Sequence, residues 1–237
     1  DLGSGIFESA TVDSNILTIQ KSLNKNKLKA VVLSKSEKTT DFTNLDFVTL
    51  KNLSSDVWAI ADENEQNIKL KIEKIGTPLK EWDIKINYGI KTGFNEAFII
   101  DENTKNELIK KDPKSEEIIK PILRGRDIRK YEINFAEQYL IYAHNKINIE
   151  DYPAVKEHLE AYKNKLEKRA GKQLWWQLQS NSFKDFGKSK IVYMKMQTKV
   201  AFSIDYNNCL INDALFCYLK DDKFLLSFLN SSASWFL

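Results

Sequence analysis

Trp82-Asp-Ile-Lys-Ile-Asn-Tyr-Gly-Ile-Lys-Thr-Gly-Phe-Asn-Glu-Ala-Phe-Ile-Ile100 decides how this chain folds. From Trp82 to Ile90 apolar and polar residues alternate, the period of a strand with one buried face. Lys91-Thr-Gly-Phe-Asn95 interrupts the alternation and Ala97-Phe-Ile-Ile100 resumes it, so the segment predicts strand, turn, strand. The turn offers backbone N–H groups, a hydroxyl and an ammonium, which suits a phosphate. It equally suits a plain hairpin turn with Gly93 at positive φ.

Upstream, Asn15-Ile-Leu-Thr-Ile-Gln20 and Leu28-Lys-Ala-Val-Val-Leu33 flank a polar turn and predict a hairpin. Residues 34–57 are polar, with a weak strand at Phe47-Val-Thr-Leu50, and Ile68 to Ile75 alternates in a way that fits a strand or a helix. Downstream, Thr104 with Glu107 matches a capping box for a short helix that Pro113 closes, and a second short helix is expected from Glu116 to Leu123. Gln138 to Ala143 predicts a strand. A long helix is expected over 152–170, with Val155, Leu159, Tyr162 and Leu166 as its apolar stripe and Gly171 as its end. Strands at Lys190–Met194, Val200–Ile204 and Ala214–Leu219 and a helix from Lys223 to Leu237 complete the pattern. The fold class is therefore α+β: a mixed-sheet domain with one long and several short helices, preceded by a β-hairpin.

The 237 residues, 42% hydrophobic and 29% charged, can bury a sizeable core. A formal charge of +3 is too balanced to announce nucleic acid by composition, so any such argument must come from where the charges sit. No apolar run reaches the roughly 20 residues that cross a bilayer, and a cytoplasmic location is expected. Asp1 is not an initiator and Ser234-Trp-Phe-Leu237 stops on an apolar run, so the chain is expected to continue at both ends. Cys209 and Cys217 lie in apolar stretches as expected core thiols, and Trp58, Trp82 and Trp235 are expected in the core as well.

Catalytic signatures are missing. His144 and His158 have no partner at metal-ligand spacing, and neither a GxSxG elbow, a Walker loop nor a GxGxxG dinucleotide loop is present. The nearest match to a magnesium nuclease is Asp83-Ile-Lys85 with Asp62 upstream, for which alternating charges on a solvated strand face is the plainer reading. No catalytic, cofactor-binding or metal-ligating residue is nominated.

Three stretches together carry a family resemblance. Phe7-Glu-Ser-Ala-Thr-Val-Asp-Ser-Asn-Ile-Leu17 resembles the end of the methyltransferase domain in type II (type IIG) restriction-modification enzymes with fused adenine methylases. Gly89 to Ile100 and Ile122-Leu-Arg-Gly-Arg-Asp-Ile-Arg-Lys-Tyr131 resemble the opening half of their TaqI-like C-terminal specificity domain. Trp176-Gln-Leu-Gln179, Lys190-Ile-Val-Tyr193 and Phe228-Leu-Asn-Ser-Ser232 fit the remainder. The resemblance implies residues 1–35 as the end of an α/β methyltransferase domain, 36–75 as a connecting segment and 76–237 as a target-recognition domain. It also implies double-stranded DNA as partner and a catalytic domain of the same polypeptide that uses S-adenosylmethionine to methylate adenine N6, with a magnesium nuclease as a further module in many relatives. The Asn-Pro-Pro-Tyr motif of such methylases is absent, as is any Pro-Pro, so catalysis is expected outside this chain.

Specific DNA binding needs cations for phosphates and planar polar groups for base edges. Between Lys163 and Lys199 ten basic residues face two acids, Glu167 and Asp185. Interleaved with them are Trp175, Trp176, Gln177, Gln179 and Gln197, the amides being able to pair with base edges. Lys172, Lys195, those aromatic and amide residues, and Lys91, Thr92 and Asn95 of the turn are the candidate DNA contacts. So are Arg124, Arg126 and Arg129 around Gly125, although Asp127 among them makes an internal ion-pair latch an equal alternative. The alternatives to DNA recognition are the nuclease and a protein-contacting module built on the 152–170 helix.

Overall fold

The computed structural model describes residues 14–23, 26–33, 43–51, 53, 58, 60–82, 84–180 and 188–236, without the side chains of 235 and 236. The chain divides into two compact units, Asp1–Pro78 and Leu79–Leu237. In the first, β1 (Lys27–Ala30) pairs antiparallel with β2 (Val48–Lys51), Leu28 opposite Leu50. The expected hairpin is corrected: residues 15–20 form no strand, and the partner of β1 lies in the segment read as a connection. A period of two identifies a strand but not its neighbour. The ambiguous Ile68–Ile75 is helical, within α1 (Glu63–Ile75). The Asp62 carboxylate accepts from Glu65 N at 2.9 Å and the Glu65 carboxylate accepts from Asp62 N at 3.0 Å, a capping box that starts the helix ahead of the misleading alternation. Trp58 is 47% exposed, contrary to the core expectation.

The second unit holds two four-stranded sheets, and the protein is α+β as expected. One sheet, entirely antiparallel, has the order β3 (Ile86–Tyr88), β10 (Leu215–Tyr218), β7 (Lys190–Met194), β8 (Phe202–Asp205). The other is mixed: β4 (Ile99–Asp101), β6 (Gln138–Ile141), β5 (Ile119–Leu123), β9 (Leu210–Ile211), with β5 and β9 parallel. A core around the mixed sheet gathers Phe98, Ile122, Leu140, Val155 and Leu159. Leu123 and Ile211 meet Val192, Leu215 and Cys217 between the sheets, and α6 (Lys223–Leu229) seats Leu225 and Leu229 on the outer face of the antiparallel sheet.

Several expected elements change. Ala97-Phe-Ile-Ile100 is one helical turn, α2 (Asn95–Phe98), followed by β4. Helix α3 (Glu102–Lys111) starts before Thr104, because the Asp101 carboxylate accepts from Thr104 N at 2.8 Å; that bond holds the Asp101 pKa below its ordinary value. The segment 116–123 is a 3-10 turn, Pro113–Glu117, and then β5. Pro121 has no N–H to give a helix, and in β5 it faces only Tyr139, since the ladder to β9 begins at Ile122. The long helix is two short ones, α4 (Pro153–Glu160) and α5 (Lys163–Leu166), with the break turning Tyr162 toward Phe94 at 6.0 Å between ring centroids. The stripe survives the break: Val155, Leu159 and Leu166 are all buried. The C-terminal segment likewise splits into α6 and α7 (Ser232–Phe236). Trp82 is 36% exposed rather than in the core.

The two sheets are joined where β3 leaves the first. Ile90 N donates to Ile211 O at 2.7 Å, and a Cβ on Gly89 would overlap the carbonyl of Asn212. Only glycine fits such a backbone crossing. In the antiparallel sheet Lys190 and Asp205 pair at 2.6 Å, 0% and 1% exposed, and the Asp205 carboxylate also accepts from the backbone N–H groups of Asn207 and Cys209. Cys209 and Cys217 are buried, and desolvation pushes both thiols up to about 12.

No helix among the described residues is long and apolar enough to cross a membrane. Two substitutions test the core. Asp205→Ala leaves the Lys190 ammonium buried without its carboxylate and is expected to cost about 3–5 kcal/mol in urea unfolding. Gly89→Ala is expected to cost more than about 3 kcal/mol by the same measurement, since backbone and not a flexible side chain must yield.

Candidate nucleic-acid interface

One guanidinium assembles the first half of the site. Arg169, half-buried, donates from Nε to Leu166 O at 3.0 Å, from one Nη to Thr92 O at 2.5 Å, and from the other to Trp175 O at 2.7 Å and Gln177 O at 2.9 Å. Its charged face also lies 5.2 Å from the Phe98 ring. Desolvation lowers its pKa, although an arginine stays charged in this setting. Four carbonyls from three segments thus converge on one side chain. The end of α5, the Lys91–Asn95 turn and the 170–180 loop are fixed to one another by it.

The turn and the loop also pair directly, Lys91 N to Ser180 O at 3.0 Å and Ser180 N to Lys91 O at 2.9 Å. Thr92 is 3% exposed; its hydroxyl donates to Asn95 Oδ1 at 2.6 Å and accepts from Phe94 N at 3.2 Å. Gly93 has φ 76°, the positive φ anticipated for it, but the expected hairpin does not form, since β3 and β4 lie in different sheets. Gln179 donates to Ala170 O at 2.9 Å, and Gln177 accepts from Leu174 N at 3.1 Å. Trp176 is 8% exposed in the core, while Trp175 is half-buried with Lys163 Nζ at 5.2 Å from its ring. Lys91, Asn95 and Lys172 are exposed. The turn and loop residues expected from sequence are therefore brought together, with the aromatic and amide groups mostly serving the loop and the lysines facing solvent.

The arginine cluster forms the second half and divides its work. Arg124 forks onto the buried Asp127 from Nε at 3.3 Å and Nη at 3.2 Å, and Arg124 N donates to the same carboxylate at 2.8 Å. The latch is present. Arg129 donates to Arg126 O at 2.8 Å and Ile128 O at 2.9 Å. Arg126 is exposed and in no ion pair with a described carboxylate. A Cβ on Gly125 would lie 3.3 Å from Met194 Sδ, so this turn abuts the end of β7, where Lys195 is exposed. Gln197 spans the β7–β8 turn, donating to Met194 O at 3.3 Å and accepting from Ala201 N at 3.1 Å. Between the two halves runs Tyr88 to Lys91, with Lys195 Nζ 5.9 Å from the Tyr88 ring.

The ten basic residues of 163–199 separate by environment. Lys190 is buried, Arg169 is bound to carbonyls, and Lys184 lies outside the described residues. Lys163 pairs with Glu167 at 3.9 Å and Lys165 with Glu96 at 3.9 Å, as a solvated helix face would. Lys168, Lys172, Lys188, Lys195 and Lys199 are exposed and in no ion pair with a described carboxylate. Asp83 lies outside the described residues, and Asp62 is a helix cap in the other unit. Among the described residues no group of three His, Cys, Asp or Glu is placed to hold a metal. Composition could not separate these lysines; Arg169 was visible in it only as one charge among ten. Arg169→Lys, which keeps the charge but not the fork, is expected to cost about 2–3 kcal/mol and to speed amide exchange at Lys91 and Ser180, read by denaturation and hydrogen exchange.

A solved structure, described as the Type IIL restriction-modification enzyme MmeI in complex with DNA, superposes with a TM-score of 0.50 at 13% sequence identity, over 64% of this chain and 21% of that one. The chain thus aligns with about a fifth of that protein, and at this identity the likeness is one of fold. No curated protein matches. Residues 120–237 match the family model of the TaqI-like C-terminal specificity domain. Over residues 120–237, then, this chain is similar to the TaqI-like C-terminal specificity domain family.

Proposed function

We propose that this chain recognises a short sequence in double-stranded DNA for a restriction-modification adenine methylase, and holds the target adenine for a catalytic domain outside these residues. The observation that carries the reading is the sorting of cations. On α3 and α4, Lys105 pairs with Glu102, Lys111 with Glu157 and Lys156 with Glu150, while Lys110 is exposed and in no ion pair with a described carboxylate. Those on the turns and loops of the candidate interface, Lys91, Lys168, Lys172, Lys188, Lys195 and Lys199, are left to solvent, together with Arg126. Unpaired surface cations on loops held rigid from behind are what phosphate positioning requires. The likeness of residues 120–237 to a specificity-domain family supports DNA as the class of partner.

In this reading S-adenosylmethionine, and magnesium where the parent also cuts, are bound by other domains of the same polypeptide. DNA makes the cytoplasm the working compartment. Arg126 is the group best placed to reach a guanine edge, being exposed on a turn whose two neighbouring arginines are committed to Asp127 and to backbone carbonyls.

Fluorescence anisotropy against a randomised duplex pool at several salt concentrations, followed by sequencing of the bound fraction, tests the reading. Binding is expected to fall with salt at a log–log slope of about −0.9 per phosphate contact, with one short motif enriched. Lys172→Ala is expected to weaken all sequences alike and to reduce the slope by about 1, whereas Arg126→Ala is expected to relax one position of the motif at about 1–3 kcal/mol. Absence of binding at low salt sinks the reading.

A further inference from the structure

A row of aromatic rings crosses the whole antiparallel sheet. Register puts Phe216 opposite both Tyr88 and Tyr193, and Tyr193 opposite Phe202. Residues directly opposite share a face. Ring centroids follow one another at 5.0 Å from Tyr88 to Phe216, 5.6 Å to Tyr193 and 4.9 Å to Phe202. The adjacent row on that face, Ile86, Tyr218, Ile191 and Ile204, is covered at Tyr218, Ile191 and Ile204 by Leu225 and Leu229 of α6. Tyr193 and Phe202 lean on the same cluster, but Tyr88 and Phe216 do not belong to it. Tyr88 is 59% exposed, and Lys195 Nζ stands 5.3 Å from the Phe216 ring and 5.9 Å from that of Tyr88.

We propose that the Tyr88 end of this row is a stacking site for an unpaired nucleobase, with Lys195 meeting the phosphate of the same strand. An exposed aromatic surface alone would suit any apolar partner. A lysine seated on the rings does not, because an apolar partner would strip its water without replacing it. A nucleotide answers both halves: a flat π face for Tyr88 and an anion for the ammonium. The charges nearby agree, with Lys85 and Lys91 exposed on either side of Tyr88 and Lys199 closing the β7–β8 turn, against the half-buried Asp213 in the β9–β10 turn. Bases within a duplex keep their faces stacked on each other, so the occupant is a base outside the double helix. The inference rests on the DNA-recognition reading for the class of partner and adds to it a base-stacking face on β3 and β10, beside Lys91 and Lys195 of the candidate interface.

The test uses the 237-residue chain, a short single-stranded oligothymidine carrying one 2-aminopurine, and a blunt duplex of matched length, all in the same buffer. Single-strand binding is expected to quench the 2-aminopurine emission by stacking. Tyr88→Ala is expected to weaken single-strand binding about tenfold and to abolish the quench, with a several-fold smaller loss on the duplex. Tyr88→Phe, which keeps the ring, is expected to behave as the parent chain. Lys195→Ala, an exposed site with no role in the core, is expected to lower the salt slope for the single strand by about 0.7. Duplex binding without single-strand binding, or single-strand binding that is unquenched or indifferent to Tyr88→Ala, overturns this inference and leaves duplex recognition standing. Equal loss on both nucleic acids after Tyr88→Ala also overturns it. Binding to neither overturns both readings.

Discussion

Everything downstream of β3 depends on the crossing of two backbones at Gly89 and Asn212. There the chain leaves the antiparallel sheet, Ile90 enters the core of the mixed one at 1% exposure, and Lys91 pairs with Ser180. A side chain at Gly89 would push these backbones apart, and with them the turn that carries Thr92 and the carbonyl that Arg169 grips. Gly-Ile-x-Thr-Gly is thus a structural phrase: close approach, core, buried hydroxyl and positive φ in sequence. The position left free in it is Lys91, and that residue faces solvent.

The same division runs through the arginines and lysines. Arg124 is held by Asp127, Arg129 and Arg169 by carbonyls, and Lys190 by Asp205 inside the sheet. Arg129 and Arg169 fasten loop carbonyls, and the Arg124 latch a loop N–H group, that no sheet ladder satisfies. Each fastened arginine has a free cation near it in sequence: Arg124 and Arg129 flank Arg126, and Arg169 lies between Lys168 and Lys172. The fasteners stiffen the loops, and stiff loops hold the free cations at fixed spacing without further ordering cost on binding.

Much of this was legible in the sequence where the signal is local. Alternation located β6, β7, β8 and β10, the stripe on α4 and α5 named residues that are buried, and the presence of Asp127 among arginines pointed to the latch that forms. Signals that depend on a distant partner failed. The apolar run at 118–123 reads as a helix until β6 and β9 are known to lie on either side of it, and β1 finds its partner in a segment with little strand character of its own. Of the candidate site, the cation count was readable but its meaning was not, because exposure decides whether a lysine meets phosphate, and Lys190 with 0% exposure cannot. The aromatic row was invisible for the same reason: Tyr88 and Phe216 are 128 residues apart in numbering and adjacent only through register.

The two cysteines have a practical meaning. At neutral pH thiols pushed up to about 12 hold essentially no thiolate, and both are buried away from solvent. Maleimide chemistry will pass them over in the folded chain. A single cysteine introduced on an exposed turn will therefore take a dye alone, without first stripping the native sulfurs from the core.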